Sequence, residues 1–136
     1  TDFKIVTYNS STSQLEESNL KNKRVEYAPR FVNRFGTTYT YKIFSVTYQV
    51  NWVDEIYTDA SNTELSSANA QTGKLPSYFV MDLSAMLQIT KYVNVRGGVT
   101  NLADESYATR RAGGYPGPGL LPADGRNWYI SLGVKF

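Results

Sequence analysis

The chain is 136 residues long, which suffices for one domain with a hydrophobic core, and its formal net charge is +2. It contains no Cys and no His, which excludes disulfides, thiolate metal sites and the commonest general base, so we predict no catalytic residue, cofactor or metal site and argue against an enzyme. Acidic and basic residues are balanced and interspersed, and this charge does not indicate a nucleic-acid partner.

Six stretches alternate between apolar and polar residues, which is the period of a strand with one apolar face. They cover residues 1–8, 30–41, 44–57, 77–89, 93–100 and 126–136. Residues 9–24, 58–76 and 102–125 are polar or rich in Gly and Pro, so we expect long loops there. The links at residues 42–43 and 90–92 are short, which predicts antiparallel neighbours.

The connections alternate between long and short along the chain. In an antiparallel sheet, all the long links then lie at one end and all the short links at the other, as in outer-membrane barrels. Strands of about eleven residues at ~3.3 Å each, tilted by about 45°, rise ~25 Å, the height of the apolar band of such a barrel. The sequence therefore predicts an all-β, antiparallel, up-and-down transmembrane β-barrel segment.

Alternation alone leaves the direction of the apolar face open. A small lipocalin-like barrel or a soluble sandwich shows the same period with the apolar face turned inwards. Asp82, Arg96 and Lys135 all fall on the polar face, and two aromatic belts favour a membrane barrel. The belts comprise Phe31, Trp52, Phe79 and Trp128 near the long links, and Tyr39, Tyr41, Phe44 and Phe136 near the short ones. We therefore expect the apolar face to contact hydrocarbon.

About six strands do not close a membrane barrel, which needs about eight. An open sheet leaves two unpaired edges, which lipid does not tolerate. Either further strands precede Thr1 or several copies assemble one barrel. We favour the first, because Thr1 begins within a predicted strand and is not a Met.

Several segments resemble a known family. Residues 100–107, TNLADESY, resemble the Asn-Leu-Phe-Asp-x-x-Tyr segment of TonB-dependent outer-membrane receptors, with Ala103 where the family usually has an aromatic residue. Residues 117–126, GPGLLPADGR, and the aromatic strand that follows resemble the closing segment of these receptors. Residues 57–63 and 75–78 resemble the preceding hairpin in the branch that takes up ferric citrate and similar ferric chelates.

The resemblance implies a barrel of about 22 strands with an N-terminal plug domain inside it. Residues 1–136 would be the C-terminal part of that barrel, about six strands, with the plug and the earlier strands outside this chain. The implied function is import of an iron–siderophore or another ferric chelate across the bacterial outer membrane. TonB, ExbB and ExbD would energise the import through parts of the protein outside this chain.

The resemblance also implies a role for the last strand. Its apolar residues resemble the strand that the barrel-assembly machinery recognises, namely Trp128, Ile130, Leu132, Val134 and Phe136. The simpler interpretation is that they face outer-membrane lipid, and one surface can serve both purposes.

Four residues near the predicted mouth are candidate substrate-binding residues. Tyr107, Arg110 and Arg111 lie in the third long loop, and Arg126 begins the last strand. Ferric chelates are often anionic, and Arg binds carboxylates in a bidentate geometry. The alternative is that these are solvated loop cations or structural partners of loop acids.

Two other functions are consistent with the sequence. The same fold could import a different cargo, such as cobalamin or an oligosaccharide. Alternatively, the chain is a small non-transport β-barrel that binds a ligand or stabilises a membrane. A plug domain and a TonB-contact segment upstream of Thr1 would indicate transport, whereas a signal peptide directly before Thr1 would indicate the small barrel.

Overall fold

A computed structural model describes residues 4–115 and 117–136 of the chain. Its strands are β1 (Lys4–Asn9), β2 (Gln14–Asn19), β3 (Val32–Tyr41), β4 (Phe44–Val53), β5 (Tyr78–Gln88), β6 (Val93–Thr100), β7 (Ala108–Ala112), β8 (Gly119–Pro122) and β9 (Asn127–Val134). The first three residues of the predicted first strand, and Pro116 in the third predicted loop, lie outside the described residues. Within the described ranges, no helix has the length and apolarity needed to cross a bilayer.

The main sheet has five antiparallel strands in the order β3-β4-β5-β6-β9. Two short turns, at residues 42–43 and 89–92, lie at one end of this sheet, and the long connections 54–77 and 101–126 lie at the other. The predicted alternation of short and long links is therefore confirmed in the main sheet. The register also aligns the first aromatic belt, because Trp52 pairs with Phe79 and Val99 pairs with Trp128.

The predicted strands are correct in position but extend too far at some ends. The strand predicted over residues 44–57 stops at Val53, because the backbone then pairs elsewhere. The Asp54 amide donates to the Phe31 carbonyl at 3.1 Å, and Ile56 forms an isolated bridge with Leu75. The alternation continues through this segment, but its hydrogen-bond partners change.

Two hairpins correct the sequence prediction. Residues 9–24 were predicted to be one long loop, but Gln14–Asn19 forms β2 and pairs with β1. The first predicted strand thus has its own two-stranded sheet and does not join the main one. Likewise, the predicted loop 102–125 contains the β7–β8 hairpin. Both were missed because short polar or Gly-rich strands lack an alternating pattern, and their pairing depends on the partner strand.

One face of the main sheet is apolar and uncovered. Side chains on this face include Trp128, Ile130 and Leu132, which are 74%, 82% and 67% exposed. The face continues across the sheet through residues such as Leu83, Val95 and Val134, and no second layer packs on it within the described part of the chain. A water-soluble fold would bury such a surface, because burial of apolar area is the main favourable term in folding.

The opposite face of the main sheet is polar. Arg34, Asp82 and Arg96 are the charged residues within its five strands, and all three lie on this face. Side chains of β3 and β4 form hydrogen bonds across this face. Arg34 Nε donates to Asn51 Oδ1 at 3.3 Å, and the hydroxyls of Thr38 and Thr47 lie 2.9 Å apart. The predicted separation into a charged face and an apolar face is therefore confirmed.

Candidate functional site

The long connections form a small core where β4 ends and β5 begins. Val53, Ile56 and Leu75 are buried there, with Leu75 only 1% exposed, and Tyr78 and Ala108 pack against them. Ile56 and Leu75 exchange two backbone hydrogen bonds, of 3.0 and 2.8 Å. The first connection is thereby closed at its base, and β7 from the second connection is docked on it.

Arg111 joins the two connections. Its side chain is 8% exposed, and its Nε donates to the Gly73 carbonyl at 3.0 Å. Its Nη1 donates to the Ala70 carbonyl at 2.9 Å, and its Nη2 donates to Ser66 Oγ at 2.7 Å. Since guanidinium donors in a buried site need acceptors, these three bonds explain why an Arg tolerates this position.

Gly73 is required where Arg111 docks. Its φ is +123°, and a Cβ at this position would lie 2.8 Å from the Leu65 carbonyl oxygen. Thr58 completes the turn, because its hydroxyl donates to the Gly73 carbonyl at 3.0 Å and accepts from the Gly73 amide at 3.1 Å. The Gly73 carbonyl therefore accepts from both Thr58 and Arg111.

A salt-bridge network fixes the segment before β3 to the same connection. Glu55 lies 3.0 Å from Lys74 Nζ and 3.2 Å from Arg24 Nη1, and all three side chains are about three-tenths exposed. The hydrogen bond from Lys74 lowers the pKa of Glu55, with the charges of Lys74 and Arg24 acting in the same direction. The same hydrogen bond raises the pKa of Lys74. Both groups are therefore held in their charged forms at neutral pH.

Asn101 organises the start of the second connection. It is buried at φ +52°, a conformation that Asn tolerates better than most residues. Its side chain donates to the Glu105 carbonyl at 2.9 Å and accepts from the Glu105 amide at 2.8 Å. Its own amide donates to Asp82 Oδ1 at 2.9 Å. The sequence analysis placed Asp82 on the polar face and Asn101 in the segment that resembles the receptor family, but it did not predict their contact. Asn101 and Asp104 are residue types that favour turns.

The predicted substrate-binding residues occupy different environments. Tyr107 stacks on Tyr78 with ring centroids 4.3 Å apart, and it lines a hollow of about 450 Å³ on the polar side together with Asp82, Asn101 and Asp124. Arg110 is exposed, with its side chain on the side of β7 opposite to Arg111. Arg126 is exposed, and its amide donates to Asp104 Oδ1 at 2.8 Å. Tyr107, Arg110 and Arg126 remain predictions as ligand contacts, whereas the donors of Arg111 are engaged within the chain.

The predicted assembly residues lie along the apolar face of β9 and just beyond it. Trp128, Ile130, Leu132 and Val134 alternate along the strand and are exposed, as is Phe136. The chain described here contains no group of acidic side chains placed to hold a metal ion, over residues 4–115 and 117–136. The geometry thus offers a two-faced wall with a folded cap of connections, and the exposed candidate residues Arg110 and Arg126 lie on that cap.

Comparison with known proteins identifies this architecture. A family model described as "TonB dependent receptor-like, beta-barrel" matches residues 2–102. The ferric citrate transporter FecA in its unliganded form is 20% identical with a TM-score of 0.75, and the match covers 82% of this chain and 17% of FecA. The siderophore receptor PiuA from Acinetobacter baumannii is 22% identical with a TM-score of 0.75, covering 96% of this chain and 17% of PiuA.

A third solved structure gives the same result. The ferric yersiniabactin uptake receptor FyuA from Yersinia pestis is 20% identical with a TM-score of 0.68, and the match covers 90% of this chain and 20% of FyuA. At such identities the likeness shows a shared fold. This chain spans a fifth or less of the length of these receptors. Because the family model matches most of its residues, the chain belongs to the TonB-dependent receptor family and forms part of the receptor β-barrel.

Proposed function

We propose that this chain is part of the wall of a bacterial outer-membrane transporter that imports ferric chelates, with TonB, ExbB and ExbD as the source of energy. The observation that carries the proposal is the uncovered apolar face, on which Trp128, Ile130 and Leu132 are mostly exposed while Asp82 and Arg96 lie on the other face. Contact with hydrocarbon keeps the apolar face out of water, and water or a plug domain on the polar face solvates the charged side chains. The membership of the receptor family and the ferric-chelate cargoes named for FecA, PiuA and FyuA support the cargo class.

The open sheet supports a larger barrel. Within the described residues, β3 and β9 are the edge strands and do not pair with each other. Each unpaired backbone group in hydrocarbon costs at least ~2 kcal/mol. In a membrane, further strands must therefore pair with these two edges. We assign those strands, the plug domain and the TonB-contact segment to parts of the protein outside residues 1–136.

For the ligand contacts, we propose that Arg110 and Arg126 supply positive charge at the outer mouth and that Tyr107 lines the approach. These side chains are exposed or half-buried on the cap, and the two cations have no carboxylate within salt-bridge distance among the described residues. Arg111 would position the β7–β8 hairpin that carries Arg110, because its own donors are occupied. Anionic chelates favour such a site electrostatically.

Uptake of labelled iron tests the proposal. The full-length protein that contains this segment is expressed in cells lacking other ferric-chelate receptors, and uptake of ⁵⁵Fe-citrate and of ⁵⁵Fe-siderophores is measured with and without TonB. We expect saturable uptake of at least one ferric chelate that is lost without TonB. Uptake that does not depend on TonB, or binding of cobalamin or an oligosaccharide with no ferric chelate bound, would contradict the proposed cargo and energy source.

A further inference from the structure

The two ends of the main sheet differ in charge. Among the described residues, the end with the short turns carries Lys42, Lys91 and Lys135, and its turns contain no Asp or Glu. The nearest acid along the strands is Asp82, six residues before the end of β5, or ~20 Å away. At the long-connection end, by contrast, acids and bases are mixed and several are paired, as in the Glu55 network.

Two of these lysines are held beside aromatic rings. Lys42 Nζ lies 5.3 Å from the centroid of the Tyr41 ring, and Lys91 Nζ lies 4.7 Å from the centroid of the Tyr92 ring. Both tyrosines are at least half exposed, so neither pair is buried by protein. An ammonium group beside an amphipathic ring is a combination suited to the boundary between water and hydrocarbon.

The apolar face begins directly beside Lys42. Tyr41 pairs with Phe44, and Phe44 pairs with Leu87 on the next strand, so three exposed side chains form a continuous row across three strands. Near Lys91, the side chains of Val93 and Val134 are likewise paired on the apolar face. Each lysine therefore lies at the border between a cationic rim and a lipid-compatible surface. Lys135 differs, because the alternation of β9 places it on the polar face.

We propose that Lys42 with Tyr41, and Lys91 with Tyr92, form a binding site for the phosphate headgroup of an anionic glycerophospholipid. The proposal rests on the membrane location given above. The two lysines lie on the two short turns at the same end of the sheet, where each ammonium group offers a charged donor to a headgroup phosphate. The acyl chains extend along the row of Tyr41, Phe44 and Leu87. Charge complementarity favours this occupant, because the charged side chains of the two described turns are both lysines and the adjoining face carries apolar or aromatic groups.

Lipid retention on the purified full-length protein tests the site. Native mass spectrometry counts the lipids retained after exposure in detergent to phosphatidylglycerol or to phosphatidylcholine. We expect wild-type protein to retain phosphatidylglycerol preferentially and to lose that preference at about 1 M salt, where charges are screened within ~3 Å. In the double variant Lys42→Asn/Lys91→Gln we expect a loss of about fivefold per lysine in phosphatidylglycerol retention. Asn is chosen for residue 42 because Lys42 has φ +52° and Asn tolerates this conformation.

Two control proteins separate charge from packing. Lys23→Gln removes an exposed lysine from the segment between β2 and β3 and should leave retention unchanged. Lys42→Arg/Lys91→Arg keeps both charges and should retain phosphatidylglycerol as the wild type does. Equal retention of the two lipids by wild-type protein, or equal losses in the Arg and the Asn/Gln double variants, would overturn the proposal. If the Asn/Gln variant does not fold, the single variant Lys91→Gln is measured instead, because Lys91 does not have a positive φ. We expect it to lose about fivefold in phosphatidylglycerol retention, and retention equal to that of the wild type would overturn the site.

The result is distinguishable from that of the uptake experiment. A protein that prefers phosphatidylglycerol but imports no ferric chelate would contradict only the transport proposal. A protein that imports a ferric chelate but shows no lipid preference would contradict only the headgroup site.

Discussion

At the scale of single residues, neighbouring side chains of β7 have different environments. Arg110 is exposed and Arg111 is buried, although the sequence presents them as an equivalent pair of loop cations. Arg111 donates to Gly73, Ala70 and Ser66, which are about forty residues away in the chain. These hydrogen bonds hold the second long connection against the first.

The first prediction compares the two arginines. We expect Arg111→Met to raise hydrogen exchange of the amides in residues 66–75 by at least about tenfold, because three acceptors lose charged donors worth about 1.5–3 kcal/mol each. Hydrogen exchange with mass spectrometry on the full-length protein measures this change. Arg110→Met is the matched control: we expect unchanged exchange but weaker binding of an anionic chelate. Identical behaviour of the two variants would contradict the division of roles.

The second prediction concerns pH. The folded pKa of Glu55 is lower than its ordinary value of 4.5, so its stabilising contribution is complete above that value and is lost as the pH falls through the folded pKa. The folded pKa of Lys74 is above 10.5, so its contribution is complete below that value and is lost as the pH rises through the folded pKa. We expect amide protection in residues 54–57 to be constant around neutral pH and to fall in acid below 4.5. Glu55→Gln should remove this acid dependence, and a persistent dependence in that variant would show that another group is responsible.

At the scale of elements, β9 displays the two-sided character of the sheet. Ile130 is 82% exposed on the apolar face, and the adjacent Ser131 points to the polar face. In water, a polar substitution of an exposed Ile changes the free energy of unfolding little. In a bilayer, the same position is the least tolerant of charge, because it lies near mid-height of the strand.

The third prediction follows from this contrast. We expect Ile130→Arg in the full-length protein to lower the free energy of unfolding from lipid vesicles by about 2–4 kcal/mol. Ser131→Arg, whose side chain points to the polar face, should change it by less than about 1 kcal/mol. Denaturant titration of the reconstituted protein measures both values. A neutral Ile130→Arg would show that this face does not contact hydrocarbon.

The fourth prediction tests the proposed assembly role of the end of β9. Phe136 is fully exposed beyond the strand. We expect deletion of Phe136 to reduce the amount of full-length protein inserted in the outer membrane, and we expect Phe136→Tyr to preserve insertion because the aromatic ring is kept. Surface labelling of intact cells measures the inserted amount. Unchanged surface levels after the deletion would argue against recognition of this residue by the barrel-assembly machinery.

At the scale of the whole molecule, the main sheet is an open wall. Its five strands leave β3 and β9 each with an edge that is unpaired within the described residues. Among the described residues, the buried hydrophobic cluster lies in the cap of long connections, around Leu75. The wall therefore depends on neighbouring strands and on its environment for stability, whereas the cap is held by its own contacts.

The fifth prediction concerns residues 1–136 expressed alone. We expect this segment to form no closed, monodisperse species in lipid vesicles or detergent, because its two edges expose unpaired backbone groups. Sedimentation analysis in detergent measures the species present. A defined ring of several copies would instead support a barrel assembled from multiple chains, which was the alternative to a longer single chain.

The alternating pattern predicted the five long strands of the wall, their antiparallel order and the face on which each residue lies, together with a sixth strand over residues 1–8, and the motifs indicated the resemblance to TonB-dependent receptors. These features are local: a two-residue period and short turns specify register and facing without reference to distant residues. Other features are seen only in the folded chain: β2, β7 and β8 form, the first strand pairs outside the main sheet, and Arg111 and Asn101 are buried. Such outcomes depend on hydrogen-bond partners far away in the chain, and a pattern of neighbouring residues carries no information about which distant carbonyl a side chain will reach.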